Sequence, residues 1–425
     1  MRFLKYDCAS MLLKVPHTIT LAAMHLILSP MPPIAHLECS RCRAQLDASL
    51  PQTVCLQCAG ALYVRYDLSL ARGTAVRDSI SNSPQDRTSL GMARYNAVLP
   101  DVYRDYPVTL GEGWTPMLPS RRNPNVFLKE EGANPTGTFK ARGLALAMTM
   151  ARHYGIRKIA VPSAGNAGGA AAAYAAAAGI EAYIFMPKDV PLANQVECLA
   201  YGAHMTLVDG LISDCARIVA ERKQAEGWFD LSTLKEPFRI EGKKTMGYEL
   251  VEQLGWTYPD AVFYPTGGGV GLIGMWKAFE EMEALGWVTG KRPKMIAIQA
   301  AGCAPIARAW DEHQPVSRMY ENAATFASGL RVPKPYGDYL ILDIVRESGG
   351  TVVALSDEQI FASLRDWASQ EGLFLSPEGA AATAAYDHLL GTGFLSRNDR
   401  VVLFNTGSGN KYTDVVALAL GMRPN

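Results

Sequence analysis

From residue 139 onward the chain alternates short, mostly apolar runs with segments of helical periodicity, and this limits the fold more than any other feature. The runs fall at 158–162, 182–186, 204–208, 261–264, 295–299 and 401–405, and most are apolar throughout rather than at every second position. Strands that read this way are covered on both faces, as in parallel sheets. Helical segments separate them at 139–154, 166–178, 192–201, 211–226, 242–254 and 271–285. Parallel neighbours need crossovers of that length. The pattern therefore predicts the α/β class with open twisted sheets, which bind ligands at the carboxyl ends of their strands.

A chain of 425 residues can build two or more domains with sizeable cores. Lys+Arg and Asp+Glu both number 41, and this balance removes the electrostatic case for nucleic acid or an anionic membrane as partner. At the start, Arg2 and Lys5 lead into an apolar stretch that Lys14, Pro16 and His17 interrupt too early for a spanning helix. Residues 1–36 are expected to form a poorly ordered extension, with Met31 as another start and a signal peptide as the competing reading. The expected compartment is the cytoplasm.

Cys39-x2-Cys42 and Cys55-x2-Cys58, twelve residues apart, are spaced as two knuckles that complete a tetrahedral thiolate site. Residues 37–66 are thus expected to form a structural zinc ribbon with 59–66 as its exit strand. The competing reading is a disulfide pair, which a cytoplasmic setting disfavours. Cys8, Cys198, Cys215 and Cys303 are scattered and read as small buried hydrophobes. Residues 67–105 are polar and weakly patterned, suiting a linker with one or two short helices. The loop 110–118 then enters the catalytic part of the 67–425 domain.

Lys140 follows the turn Asn134-Pro135-Thr136-Gly137 and falls on the first turn of a helix. The helix dipole disfavours an ammonium there, so its amine should be more nucleophilic, as Schiff-base chemistry needs. Three loops stand where strands end. Ser163-Ala164-Gly165-Asn166 offers backbone N–H groups suited to a carboxylate. Gly267-Gly268-Gly269-Val270-Gly271 makes a nest for a phosphate, and no Gly-Lys-Ser/Thr follows to make it a nucleotide loop. Thr406 and Ser408 place hydroxyls after the last strand. Together these describe a pyridoxal phosphate pocket.

The stretches 134–143, 163–166, Arg239-Ile-Glu-Gly-Lys-Lys-Thr245 and the two later loops resemble threonine synthase. The likeness spans about residues 37–415, including the cysteine ribbon and Gly111-Glu-Gly-Trp-Thr-Pro116. It implies the tryptophan-synthase-β-like, fold-type-II architecture: two mostly parallel sheets, with a smaller subdomain at about 140–240 and a larger one from the flanking segments. It also implies a homodimer. By the same resemblance Lys140 is the Schiff-base lysine, Asn166 bonds the cofactor's 3-oxygen, Gly267 to Gly271 cradle its phosphate and Thr406 meets the pyridine nitrogen. Ser163, Ala164 and Gly165 would bind the substrate carboxylate. Lys129, Arg142 and Lys243 or Lys244 would be candidates for a substrate phosphate. Ala141 stands where the family commonly has Asp, and Gly267-Gly268-Gly269 looks more like a threonine or serine ammonia-lyase. Deamination and β-replacement therefore remain open beside threonine synthesis from O-phospho-L-homoserine. An inert zinc-ribbon binding protein is the reading from another class.

Overall fold

The computed structural model describes residues 33–82 and 91–422. Most of the 1–36 extension, Met31 included, lies outside them, as do Cys8 and the segment 83–90. The first strands are β1 (Ile34–Cys39), β2 (Gln45–Leu46) and β3 (Leu62–Tyr66), an antiparallel sheet in the order β2-β1-β3. It begins at Ile34, ahead of the expected boundary at 37.

The strands that follow are β4 (Met117–Pro119), β5 (Val126–Glu130), β6 (Lys158–Pro162), β7 (Glu181–Pro187) and β8 (His204–Val208). Then come β9 (Phe229–Asp230), β10 (Ala261–Pro265), β11 (Lys294–Ala300), β12 (Thr351–Leu355) and β13 (Val401–Asn405). They form two sheets. The larger runs β12-β11-β10-β13-β5-β4, parallel except where β4 meets β5. The smaller runs β8-β7-β6-β9 and is parallel throughout. All four of its strands fall within residues 158–230, so the chain leaves the larger sheet after β5 and returns at β10. β10 and β13 are buried at every position, which is why both read as unbroken apolar runs.

Helices cover both sheets. Asn166–Ala178 is nearly all alanine and glycine, and a Cβ at Gly168 would stand 2.8 Å from Ile184 Cγ2. Small residues thus let this helix lie close against β7. Lys140–His153 packs against Phe238–Gln253, which in turn packs on Val270–Leu285. Short helices do stand within 67–105, at Thr74–Ser81, Gly91–Val98 and Asp101–Asp105, but residues 91–98 are packed into the core rather than linking across the surface. Met92, Arg94 and Tyr95 are buried, and Arg94 Nη2 pairs with Glu252 Oε1 at 2.5 Å. Nothing local marked this, because the partner carboxylate is far off in sequence. No described helix is long and apolar enough to cross a membrane.

Candidate active site

A cavity of about 360 Å³ opens where the carboxyl ends of both sheets meet. Lys140 reaches it from β5, through a short 3-10 turn at Glu131–Ala133 and the turn ending at Gly137. Gly137 has φ +66°, a conformation that favours glycine. The loop after β13 anchors the lysine, since the Phe139 N–H donates to the Thr406 carbonyl at 3.1 Å. Burial pushes the Lys140 amine down to about 7, with Arg239 adding repulsion and Glu378 opposing it. The direction matches the sequence argument, but the largest cause is desolvation rather than the helix dipole.

Gly267, Gly268, Gly269 and Val270 line the cavity at the start of helix Val270–Leu285, whose first N–H groups have no partner within the helix. Gly269 adopts φ +74°, and a Cβ on Gly267 would lie 2.3 Å from the Gly329 carbonyl oxygen. Gly271 does not line the cavity. It is buried under the Tyr264 hydroxyl, which a Cβ there would meet at 1.9 Å.

The loop after β6 brings Ser163, Ala164, Gly165 and Asn166 to the opposite wall. The Ser163 hydroxyl is occupied by the loop itself: it accepts from the N–H of Gly165 at 3.1 Å and of Gly168 at 2.8 Å. What the loop offers a ligand is therefore mainly backbone N–H at a helix start. Asn166 Nδ2 donates to the Tyr412 hydroxyl at 2.7 Å, whereas its buried Oδ1 has no partner among the described residues. Behind Gly165, Asn194 is buried with neither end of its amide partnered among those residues.

Lys129 and Arg142 are not at the cavity. Both are fully buried in an ionic cluster, with Lys129 Nζ 2.5 Å from Glu249 Oε1 and Arg142 2.7 Å from both Glu131 and Glu249. They are saturated by carboxylates and closed to solvent, so neither is available to a substrate phosphate. Lys243 turns its amine to the carbonyl oxygens of Phe139 and Lys140, the latter at 3.0 Å, and so pins the first turn of the lysine helix. Burial and the adjacent Lys140 and Arg239 hold the Lys243 amine well below its ordinary range. Lys244 pairs with Glu241 at 2.6 Å and Glu281 at 3.1 Å, also buried.

Residues 108–407 match the family model described as pyridoxal-phosphate dependent enzyme. The chain belongs to that family. It is 31% identical over 389 residues to the threonine synthase of Methanocaldococcus jannaschii, covering 90% of this chain and 94% of that one. The threonine synthase of Methanosarcina acetivorans is 33% identical over 379 residues, covering 88% of this chain and 91% of the relative. Among solved structures, the processed threonine deaminase isoform 2 of Solanum lycopersicum superposes with a TM-score of 0.59 at 22% identity. That match covers 72% of this chain and 88% of the other, and shows the fold.

The residues present fit the cofactor named by the family. A lysine with a depressed amine faces the cavity, and a glycine cradle holds a helix start opposite. Asn166 Oδ1 and Arg239 Nε and Nη2 are buried and unpartnered among the described residues. Sequence reasoning missed Glu378, Tyr412, Arg239 and Lys235. Glu378 lines the cavity, and Arg239 is fully buried behind the Ser232–Lys235 wall with its Nη1 on the Leu231 carbonyl at 2.6 Å. Lys235 lines the cavity and is only loosely paired, 3.7 Å from Asp230. Arg239 stood within the stretch that carries the resemblance, but nothing in its spacing marked it as a site residue.

Proposed function

We propose that this protein is a pyridoxal phosphate-dependent threonine synthase, converting O-phospho-L-homoserine and water to L-threonine and phosphate. The observation that carries the reading is the likeness to threonine synthases over nearly the full length of both chains. The cavity supports it. Lys140 is the covalent attachment and the base and acid that moves protons at Cα and Cβ, because a buried amine near 7 can both accept and return them. When bound, the cofactor supplies an electron sink that acidifies Cα. Gly267 to Val270 would hold its phosphate, Asn166 its 3-oxygen and Thr406 its pyridine nitrogen. The N–H groups of the Ser163–Asn166 loop would hold the substrate carboxylate.

With Lys129 and Arg142 committed to carboxylates, the substrate phosphate falls to Lys235, with buried Arg239 reinforcing the positive field behind it. The four cysteines bring one Sγ each to within 4.8 Å of one another, and the N–H groups of Arg41 and Cys42 point at Cys39 Sγ at 3.4 and 3.5 Å. This arrangement suits thiolates around structural zinc.

One observation favours deamination of threonine or serine instead: the cations first expected to bind phosphate are buried elsewhere. Product analysis separates the two. Phosphohomoserine should yield threonine and phosphate in equal amounts. Release of 2-oxobutyrate from threonine, with no turnover of phosphohomoserine, would overturn the proposal.

A further inference from the structure

Asn166, Tyr412 and Glu378 form a continuous hydrogen-bond chain along one side of the cavity. Asn166 Nδ2 lies 2.7 Å from the Tyr412 hydroxyl, and that hydroxyl lies 2.9 Å from Glu378 Oε1. The same Oε1 accepts the Gly329 N–H at 2.7 Å. Tyr412 and Glu378 are buried, and each arrives on a different element: the turn Gly409–Tyr412 and the start of helix Pro377–Gly391.

A tyrosine hydroxyl has one proton to give, and with Ser328 also beside it the direction of the Asn166–Tyr412–Glu378 chain depends on where that proton goes. With Glu378 ionised, Tyr412 donates to the carboxylate and takes the Asn166 N–H. Asn166 Oδ1 is then left over as an acceptor, which is the buried atom without a partner among the described residues. With Glu378 protonated, the acid donates to the Tyr412 oxygen while a lone pair still receives Gly329. Tyr412 is then free to donate to Asn166 Oδ1 in place of Ser328, and when it does the amide turns to present Nδ2 instead. A cofactor oxygen that accepts hydrogen bonds is served only by the second direction.

We propose that Tyr412 and Glu378 are positioning residues for Asn166, and that a proton on Glu378 turns the amide's donor end toward the cofactor's 3-oxygen. This rests on the pyridoxal phosphate reading above. Burial raises the Glu378 carboxyl above its ordinary range, which favours the proton. Burial, with Glu378 beside it, holds the Tyr412 hydroxyl well above its own range, so it remains a neutral relay. The titratable groups that face Glu378 are Tyr412 and Lys140. Lys411, next to Tyr412 in the chain, turns away to Glu197 at 2.5 Å. The Gly329 loop presents its backbone N–H to Glu378 and the Ser328 hydroxyl to Tyr412, and the neighbouring Ser376 presents a hydroxyl.

The test is the pyridoxal phosphate dissociation constant for the wild type, Glu378→Gln and Tyr412→Phe, across the whole pH range over which circular dichroism shows each protein folded. In Glu378→Gln the Gly329 N–H keeps the amide oxygen at the Oε1 position, so the side chain accepts from Tyr412 at every pH. All three proteins share the gain in affinity with rising pH that Lys140 deprotonation gives, so the reading is each variant's constant divided by the wild type's. Where Glu378 is protonated the wild type should bind about ten-fold tighter than Glu378→Gln, one hydrogen bond's worth, and the two should converge as Glu378 ionises. Tyr412→Phe should likewise lack the Glu378-dependent step, so its ratio to the wild type should also change with pH. A ratio that stays constant with pH in either variant would overturn the proposal. A wild type that binds no pyridoxal phosphate would instead overturn the functional reading on which it rests.

Discussion

Lys140, Lys243 and Arg239 are three buried cations whose charged forms disfavour one another, and burial is the largest cause of depression for each. Arg239 comes down to about 10 and still carries its charge at neutral pH, while Lys140 at about 7 is divided between amine and ammonium. The free amine is the reactive form, so it gains with rising pH. The rate of cofactor capture by apoprotein should rise through about pH 7 and level off above pH 8, whereas an ordinary lysine would keep rising toward 10. Stopped-flow absorbance checks this. The Lys235→Ala variant should bind cofactor normally but raise KM for phosphohomoserine by about ten-fold or more, the scale of one lost charged contact. Unchanged KM would remove Lys235 from the substrate's phosphate site.

At the scale of elements, the helices Lys140–His153 and Phe238–Gln253 meet β5 through buried charge as well as apolar packing. Against the cost of burial, Arg142 and Lys129 hold the Glu249 carboxyl well below the usual carboxylate range. A carboxyl lowered in this way stabilises the fold above its unfolded pKa, and that contribution is lost as pH falls through the folded one. Glu249→Gln should leave Lys129 and Arg142 undercompensated and cost about 3–5 kcal/mol in denaturant unfolding at pH 7. The difference should narrow in acid. These same charges show where the sequence misleads. Lys129 and Arg142 read as phosphate ligands because Glu249, which neutralises both, lies more than a hundred residues away in the chain. Glu378 was hidden differently. Ser376-Pro377-Glu378 is a cap, a proline and an acidic first turn, which any helix start would use. The strands 158–162 and 401–405 were legible to the residue because they are buried on both faces. β12, the half-exposed edge strand of the larger sheet, was missed although Val352-Val353-Ala354-Leu355 is an apolar run of the same kind.

Across the whole molecule, the cysteine ribbon is fastened to the cavity wall. The Tyr336 hydroxyl donates to the Ala59 carbonyl beside Cys58, and Tyr336 itself lines the cavity. Ser40 lies 2.6 Å from the Tyr339 hydroxyl, and the Arg41 guanidinium stacks 4.1 Å above the Tyr339 ring. Both knuckles therefore grip the Tyr336–Tyr339 segment. Chelation of the proposed zinc should loosen that wall, lowering Tm by several degrees and raising KM more than it lowers kcat. Metal analysis should find one zinc per chain. Metal-free protein with wild-type Tm and KM would reduce the ribbon to an independent appendage.

The central claim is that Lys140 carries the cofactor. Borohydride reduction of the cofactor-loaded protein, followed by peptide mass mapping, tests it most directly. The expected result is a pyridoxyl adduct on the peptide containing Lys140 and on no other. An adduct on Lys243 or Lys235, or a fully loaded Lys140→Ala variant, would contradict it.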